Sequence, residues 1–268
     1  MPIRDSWREL GMSVREPAQC SDAATASVPA VILCGGLGTR LRSAVPQLPK
    51  VLAPIGDKPF LDYVLLDLAA AGFRDVVLCL GYKAEIVREA YEHRAVDKLR
   101  ISYSCESSPL GTGGALRYAS RLIHSEVFLL LNGDSLLELD YAAFLKAHAR
   151  SGALITMALA TSDQPGRYGT VHVAANGEVT KFQEKSDAGG STFINGGVYA
   201  MHRDVMKRIR PSDEPVSLER DILPKLVGHG LFGFVADSFF IDIGVPADYE
   251  RAQMLLPRRV PLACSHSR

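Results

Sequence analysis

Three short, continuous apolar runs, at residues 30–34, 76–80 and 127–131, punctuate the first half of the chain, with a more mixed run at 100–104. Runs of this length with no polar alternation, closed by glycine, predict strands buried on both faces. Between them the spacing changes to that of helices. Phe60, Tyr63, Val64 and Leu68 mark a helix over 60–71 that Gly72 closes, an amphipathic helix is expected at 83–91, and a second glycine loop, 108–114, leads into a helix at 115–122. Pro46, Pro49 and Pro54 keep residues 45–59 out of regular helix. Strand alternating with helix on this scale predicts an α/β fold, a mainly parallel sheet with right-handed crossovers and helices on both faces.

From residue 154 the pattern changes to strands joined by short turns, at 154–159, 170–173, 179–183 and 193–201. Asn176-Gly177 is a hairpin signal between two of them. Helices are expected at 203–210 and at 218–228, the second disturbed by Pro224, then a strand at 239–243 and a helix from Pro246 to about 255. No linker divides the chain, so the second half reads as an extension of the same sheet. The expected organisation is one domain over 29–256 and a tail over 257–268. Residues 1–28, rich in Ser, Ala and charge and without an apolar core, read as a disordered leader and not as a secretory signal; Met12 is an alternative start.

Ligands of such sheets bind beyond the carboxyl ends of the strands. The first apolar run empties there into Gly35, Gly36 and Gly38, followed by Thr39 and Arg40. A glycine turn lets backbone N–H groups approach phosphate oxygens. Arg40 adds a planar fork and Lys50 a compact point charge. Two cations beside a glycine turn suit a polyanion such as a nucleoside triphosphate. Two familiar phosphate loops fit badly. A dinucleotide fingerprint counted from Gly36 needs its third glycine at Leu41, and a Walker loop counted from Gly35 needs lysine where Arg40 stands. A dehydrogenase is therefore disfavoured.

The 268 residues carry 30 basic and 30 acidic side chains, a formal net charge of zero. That argues against a general nucleic-acid or membrane-surface binder, and no stretch reaches the roughly 18 apolar residues of a membrane span. The five cysteines include no C-x-x-C pair, which fits a reducing, cytoplasmic setting. Asp134 follows an apolar run and a glycine, and Asp242 stands inside Phe239-Phe240-Ile241-Asp242-Ile243. A charge in so apolar a run is costly unless paired or metal-bound. Two such carboxylates beside a triphosphate make a Mg²⁺ site.

The motifs GGLGTRL, Pro49-Lys50, LGTGGAL (110–116), NGD (132–134), YGT (168–170), Glu184-Lys185, NGGVY (195–199) and FIDIGVPADY (240–249) together resemble the sugar-1-phosphate nucleotidylyltransferases. The resemblance covers nearly everything from residue 30 to 253. It implies a Rossmann-like mixed sheet of the nucleotide-diphospho-sugar transferase type, and transfer of a nucleoside monophosphate from a triphosphate to a sugar 1-phosphate with release of pyrophosphate. It implies base, ribose and phosphate contacts at Leu33, Gly35, Gly36, Gly38, Thr39, Gly81, Gly111 and Asn132. Lys185 would dock the sugar phosphate, and Glu184, Asn195 and the Gly169 backbone would meet sugar hydroxyls. Arg40 is expected on the departing pyrophosphate, Lys50 at the α-phosphate, and Mg²⁺ on Asp134 and Asp242.

No general base is needed, because a phosphate monoester with a second pKa near 6 is already largely dianionic at neutral pH. The histidines accordingly show no ligand spacing and are expected to be mostly solvated. LGTGGAL, INGGVY, SLERDILP (217–224) and FFIDIGVPADY resemble the heptose 1-phosphate guanylyltransferase branch most, which supplies GDP-heptose for bacterial surface polysaccharide. GTP and heptose 1-phosphate are thus the favoured partners, with mannose 1-phosphate or another base as the alternative. Many relatives carry Trp before the second aspartate, where this chain has Phe240-Ile241, a change expected to open the sugar pocket. A silent regulatory binding protein would have lost Arg40, Lys50, Asp134, Lys185 or Asp242, and all five are present. A homo-oligomer remains open.

Overall fold

A computed structural model describes residues 25–42, 44–162, 169–183, 193–212 and 214–259. The chain begins with β1 (Ala30–Leu33) and, after the glycine loop, a small hairpin of β2 (Pro54–Ile55) and β3 (Lys58–Pro59). Then come α1 (Phe60–Ala70), β4 (Asp75–Leu80), α2 (Ala84–Glu92), β5 (Arg100–Cys105), α3 (Gly111–Ala119) and β6 (Val127–Asn132). The second half holds β7 (Ser135–Leu137), α4 (Tyr141–Ser151), β8 (Ile155–Thr161), β9 (Thr170–Val173), β10 (Val179–Gln183) and β11 (Phe193–His202). It closes with α5 (Leu223–Leu226), β12 (Leu231–Val235), β13 (Phe240–Asp242) and α6 (Pro246–Leu255).

Among the described residues the main sheet runs β10-β9-β11-β6-β1-β4-β5, with β8 paired to β11 and β12 to β8. The strands β6, β1, β4 and β5 are parallel. The long strand β11 runs antiparallel to β6 and to β8 and so joins the two halves. This is the mixed, mainly parallel sheet expected. The apolar runs are explained by what covers each face. Ala30 and Ile32 of β1, with Val76, Leu78 and Leu80 of β4, enter one apolar layer, while Val31, Val77 and Cys79 enter the other. Neither face meets water, so neither needs polar residues. On the first face α1 buries Phe60, Leu61, Leu65 and Leu68 completely, each worth about 1.5–3 kcal/mol of transfer free energy. α3 and residues 205–226 cover the second.

Several boundaries differ from expectation. Helix α3 starts at Gly111 and not at 115, because the second glycine loop is itself the helix's first turn. Residues 203–208 form a 3₁₀ turn, and 218–228 resolve into a π-helical turn at Leu218–Ile222 followed by α5, with Pro224 accommodated in its first turn where no N–H is needed. The last strand leaves the main sheet: among the described residues β13 pairs with β7 alone, in a two-stranded ladder of its own. Helix α4 and strand β12 have no counterpart among the expected elements, since α4 mixes apolar and charged positions just before the change of pattern and β12 is interrupted by Gly233. The leader expected at 1–28 lies outside the described residues except for 25–28, where Thr25 is buried and donates to the Ala71 carbonyl at 2.8 Å. No helix among the described residues is long and apolar enough to cross a membrane.

Candidate functional site

In the parallel ladder Leu33 is level with Cys79 on one side and Asn132 on the other. Whatever follows these three strand ends therefore meets on one edge. The meeting is close: Gly133 donates its N–H to the Leu33 carbonyl at 3.0 Å, and a β-carbon at Gly133 would lie 2.7 Å from that oxygen. Glycine here lets the chain turn tightly out of β6 and deliver Asp134. The β7–β13 ladder then sets Asp242 opposite Ser135, and Ile243 donates to the Asp134 carbonyl at 2.9 Å. Two aspartates 108 positions apart are brought together by three residues of antiparallel pairing.

Lys50 completes this cluster. Pro49 introduces a 3₁₀ turn, Lys50–Leu52, anchored by the buried Val51 and Leu52. Its Nζ lies 2.5 Å from Asp134 Oδ2 and 3.8 Å from Asp242 Oδ1. Gly244 donates its N–H to Asp242 Oδ1, and a β-carbon there would crowd both that oxygen and the lysine. Burial pushes the Asp134 carboxyl up, but the charge and hydrogen bond of Lys50 outweigh it, with help from Arg40, and hold it below the usual range. Burial and the charge of Asp134 raise Asp242 to about 6 against the pull of Lys50. One lysine facing two partly buried carboxylates leaves a site that favours a further cation. Among the described residues no three His, Cys, Asp or Glu side chains cluster as a closed metal cage. The pair fits a divalent ion that takes its remaining ligands from phosphate and water.

The first glycine loop arches over this floor. Gly38 has φ +58°, and its α-carbon packs so near Lys50 that a β-carbon would lie 3.2 Å from the lysine Cβ. Gly36, Thr39 and Arg40 are exposed, and nothing stands within 4 Å of a β-carbon built at Gly36. The loop thus presents open backbone and the Arg40 charge to the same edge.

On the other side of β1 stand Gly35, Gly81 and a residue that no sequence motif singles out, Glu106. It leaves the end of β5, donating its N–H to the Leu80 carbonyl at 2.9 Å. A β-carbon at Gly81 would lie 2.5 Å from its Oε1, and one at Gly35 3.2 Å. Its Oε2 accepts from the Leu110 N–H at 3.4 Å. Burial raises the Glu106 carboxyl, an effect the Leu110 N–H partly offsets. A sequence signal does exist: Glu106 follows the carboxyl end of a parallel strand, as Asp134 nearly does. Gly111 is adjacent, at φ +75°.

The residues expected at the sugar divide. Glu184 and Lys185 lie outside the described residues, as does Tyr168. The Gly169 carbonyl accepts from Asn195 N–H at 2.9 Å, which places these two side by side. The Asn195 side chain is committed to its own strand, accepting from Gly197 N–H at 3.0 Å and donating to the Tyr199 hydroxyl at 2.6 Å. It locks a bulge whose Gly197, at φ +74°, packs against Asn132 and Ser135. Ile241, expected at the pocket, instead enters the core, whereas Phe240 is half-buried and shares the strand face of Asp242. His148, one of the histidines expected to be mostly solvated, is buried and bonded to Thr156 Oγ1 at 2.8 Å.

The Nucleotidyl transferase family model matches residues 29–259. A D-glycero-alpha-D-manno-heptose 1-phosphate guanylyltransferase of Aneurinibacillus thermoaerophilus is 40% identical over 225 residues, which cover 84% of this chain and 96% of that protein. A mannose-1-phosphate guanylyltransferase of Mycobacterium tuberculosis is 34% identical over 240 residues, covering 88% of this chain and 67% of that one. The crystal structure of HddC from Yersinia pseudotuberculosis complexed with GMP-PN superimposes with a TM-score of 0.74 at 33% identity, covering 84% of this chain and 98% of that chain.

Proposed function

The chain belongs to the nucleotidyl transferase family, and from that premise we propose that it transfers GMP from GTP to a heptose 1-phosphate, forming GDP-heptose and pyrophosphate. The observation that carries the reaction is the convergence of Lys50, Asp134 and Asp242 beneath an open glycine loop. A phosphate oxygen of the sugar attacks the α-phosphorus in line with the departing pyrophosphate. The new P–O bond forms as the α–β bridge breaks, and the electron pair leaves on pyrophosphate. The nucleophile arrives deprotonated, so the chain supplies position and charge.

Lys50 would exchange part of its contact with Asp134 for the α-phosphate oxygens, where charge accumulates. Arg40 on the exposed loop would hold the β- and γ-phosphates. Asp134 and Asp242 would hold a divalent cation, for which Mg²⁺ is our reading, and the bound ion supplies charge neutralisation of the triphosphate. Lys185 and Glu184 remain our candidates for the sugar phosphate and a sugar hydroxyl, with the Gly169 backbone and Asn195, through its hold on the neighbouring bulge, shaping the acceptor end.

Glu106 supports guanine as the base. An ionised carboxylate accepts hydrogen bonds only, and the guanine edge offers two donors side by side, N1–H and the 2-amino group. Uracil and thymine offer one donor flanked by acceptors, which would face the carboxylate oxygens unfavourably. The similarity to heptose and mannose guanylyltransferases alike fits a shared base and leaves the acceptor as the variable.

Release of pyrophosphate, measured for four triphosphates against a panel of sugar 1-phosphates, tests this reading. GTP with heptose 1-phosphate should give the highest kcat/KM. If mannose 1-phosphate wins, the acceptor is wrong; if UTP wins, the base is wrong and Glu106 with it.

A further inference from the structure

The SLERDILP segment, residues 217–224, plays no part in the reaction described above, yet it is bonded to the second glycine loop over a separation of about a hundred residues. We propose that Val216, Ser217, Leu218, Glu219 and Asp221 form a positioning strap that holds the Leu110–Gly111 turn, and through it the Glu106 carboxylate, in the geometry that selects guanine. The inference rests on the reading of Glu106 as the residue that meets the base.

A glycine-rich first turn of a helix ordinarily offers free N–H groups to an anion. In α3 two of these groups are already taken. Gly113 and Gly114 donate to the Val216 carbonyl at 2.8 and 3.2 Å, and Val216 returns its N–H to the Leu110 carbonyl at 2.8 Å. The glycines suit this contact: at Gly111 a β-carbon would lie 2.5 Å from the Val216 oxygen, and at Gly113 3.2 Å from the Val216 side chain. The second loop is closed by the protein itself.

Thr112 is the clasp. Its hydroxyl donates to Glu219 Oε2 at 2.7 Å and accepts from the Leu218 N–H at 2.8 Å, so its proton and one lone pair are both directed into the strap. The strap is tied to itself as well. Ser217 Oγ donates to the same Glu219 oxygen at 3.0 Å, and Ser217 N–H donates to Asp221 Oδ2 at 2.7 Å. The π-helical turn at Leu218–Ile222 follows directly, which gives the serine, glutamate and aspartate of this motif one common task.

The link to the base runs through Leu110. Its carbonyl is gripped by Val216, and its N–H meets Glu106 Oε2 at 3.4 Å. That last contact is long, so the carboxylate keeps most of its acceptor capacity for a ligand. A strap that slackened would free the Leu110–Gly111 turn and let Glu106 rotate. Catalysis at Lys50 and Asp134, across β1, would be touched far less. The strap residues act through Glu106 and meet no substrate themselves.

The test compares GTP with ITP, whose base lacks the 2-amino group, in wild type, Thr112→Val, Thr112→Ser and Glu219→Gln. Wild type should prefer GTP by at least about tenfold in kcat/KM, the scale of one hydrogen bond to a charged group. Thr112→Val keeps the shape and removes the hydroxyl; it should shrink that ratio at least about threefold, through a raised KM for GTP with kcat changed less than about twofold. Thr112→Ser should restore the ratio, and Glu219→Gln should move it in the same direction as Thr112→Val. Should Thr112→Val fail to fold, Glu219→Gln decides the outcome. A ratio that stays at the wild-type value in Thr112→Val and Glu219→Gln, even with a lowered Tm, makes the strap structural only and overturns the proposal. A wild type that treats GTP and ITP alike instead removes Glu106 as the reader of guanine, and the inference falls with it.

Discussion

The two glycine loops look alike as strings of letters and sit at the same edge of the sheet, but they use glycine for opposite ends. In the first, Gly36, Thr39 and Arg40 face solvent and no atom stands near a β-carbon at Gly36. In the second, Gly111 and Gly113 are pressed against Val216, and the N–H groups of Gly113 and Gly114 are spent on its carbonyl. Glycine lets backbone come close in either case. Which partner comes close, a ligand or a distant part of the same chain, is decided by what lies opposite. The open loop leaves its backbone free for a partner from outside; the closed one has spent it on its own chain.

Breaking the floor under the open loop should have the largest effect. Asp134→Asn removes charge from the proposed metal pair and from Lys50 at once, and turnover should fall at least about a hundredfold with the fold intact. Steady-state kinetics with circular dichroism checks this, and excess chelator should abolish activity in wild type. Arg40→Ala comes next. Charge on the bridging oxygen grows only as pyrophosphate leaves, so kcat should drop by about ten- to fiftyfold and KM much less. Arg40→Lys should recover little, since the fork is lost. A variant with normal kcat and raised KM would reduce Arg40 to ground-state binding.

A third prediction acts on the frame away from both loops, where His148 bonds Thr156 of β8. Burial, with the charge of His202 behind it, lowers the His148 pKa to about 4 from its ordinary 6.5. The folded state therefore prefers neutral imidazole. The stability this contributes is complete above pH 6.5 and is lost as pH falls toward 4, by an amount on the order of 2 kcal/mol. Denaturant titrations between pH 7 and 4.5 should show it, and His148→Gln should flatten that part of the profile. The contrast between the loops should survive, because His148 touches neither.

The smallest effects are the most discriminating between the loops. Gly111→Ala forces a β-carbon onto the Val216 carbonyl at φ +75°, and should cost about 1–3 kcal/mol of stability. Gly36→Ala meets nothing and should change stability by less than about 0.5 kcal/mol. If the open loop cradles phosphate, Gly36→Ala should still raise KM for the triphosphate. Equal losses of Tm in the two variants would erase the distinction.

Much of this architecture is legible in the residues themselves. The parallel strands announce themselves because burial on two faces removes every polar position from the buried runs of β1, β4 and β6. Arg40 and Lys50 stand out as cations beside a glycine turn, Asp134 and Asp242 because charge beside an apolar run needs a partner, and the structure brings Lys50, Asp134 and Asp242 together. Glu106 does not stand out because β5 is an edge strand, half-exposed along its length, and no apolar run throws its carboxylate into relief. Helix α4 escapes notice for a related reason. Its buried residues Tyr141, Phe144, Leu145 and His148 do stand at helical spacing, but a histidine fills the last of these positions, so the apolar pattern spans little more than one turn.

The amino-acid sequence alone determined the class of fold and the charge types gathered at the carboxyl edge of the parallel strands, because each of these follows from local pattern: period, glycine and the cost of burying a charge. Tertiary structure alone decided which distant residues close each loop. The pairing of Ser135 with Asp242 and of Thr112 with Glu219 depends on where chain segments about a hundred positions apart come to rest. That is a property of packing geometry. No local spacing of residues encodes it, and the same glycine letters therefore leave one loop open to solvent and seal the other against its own chain.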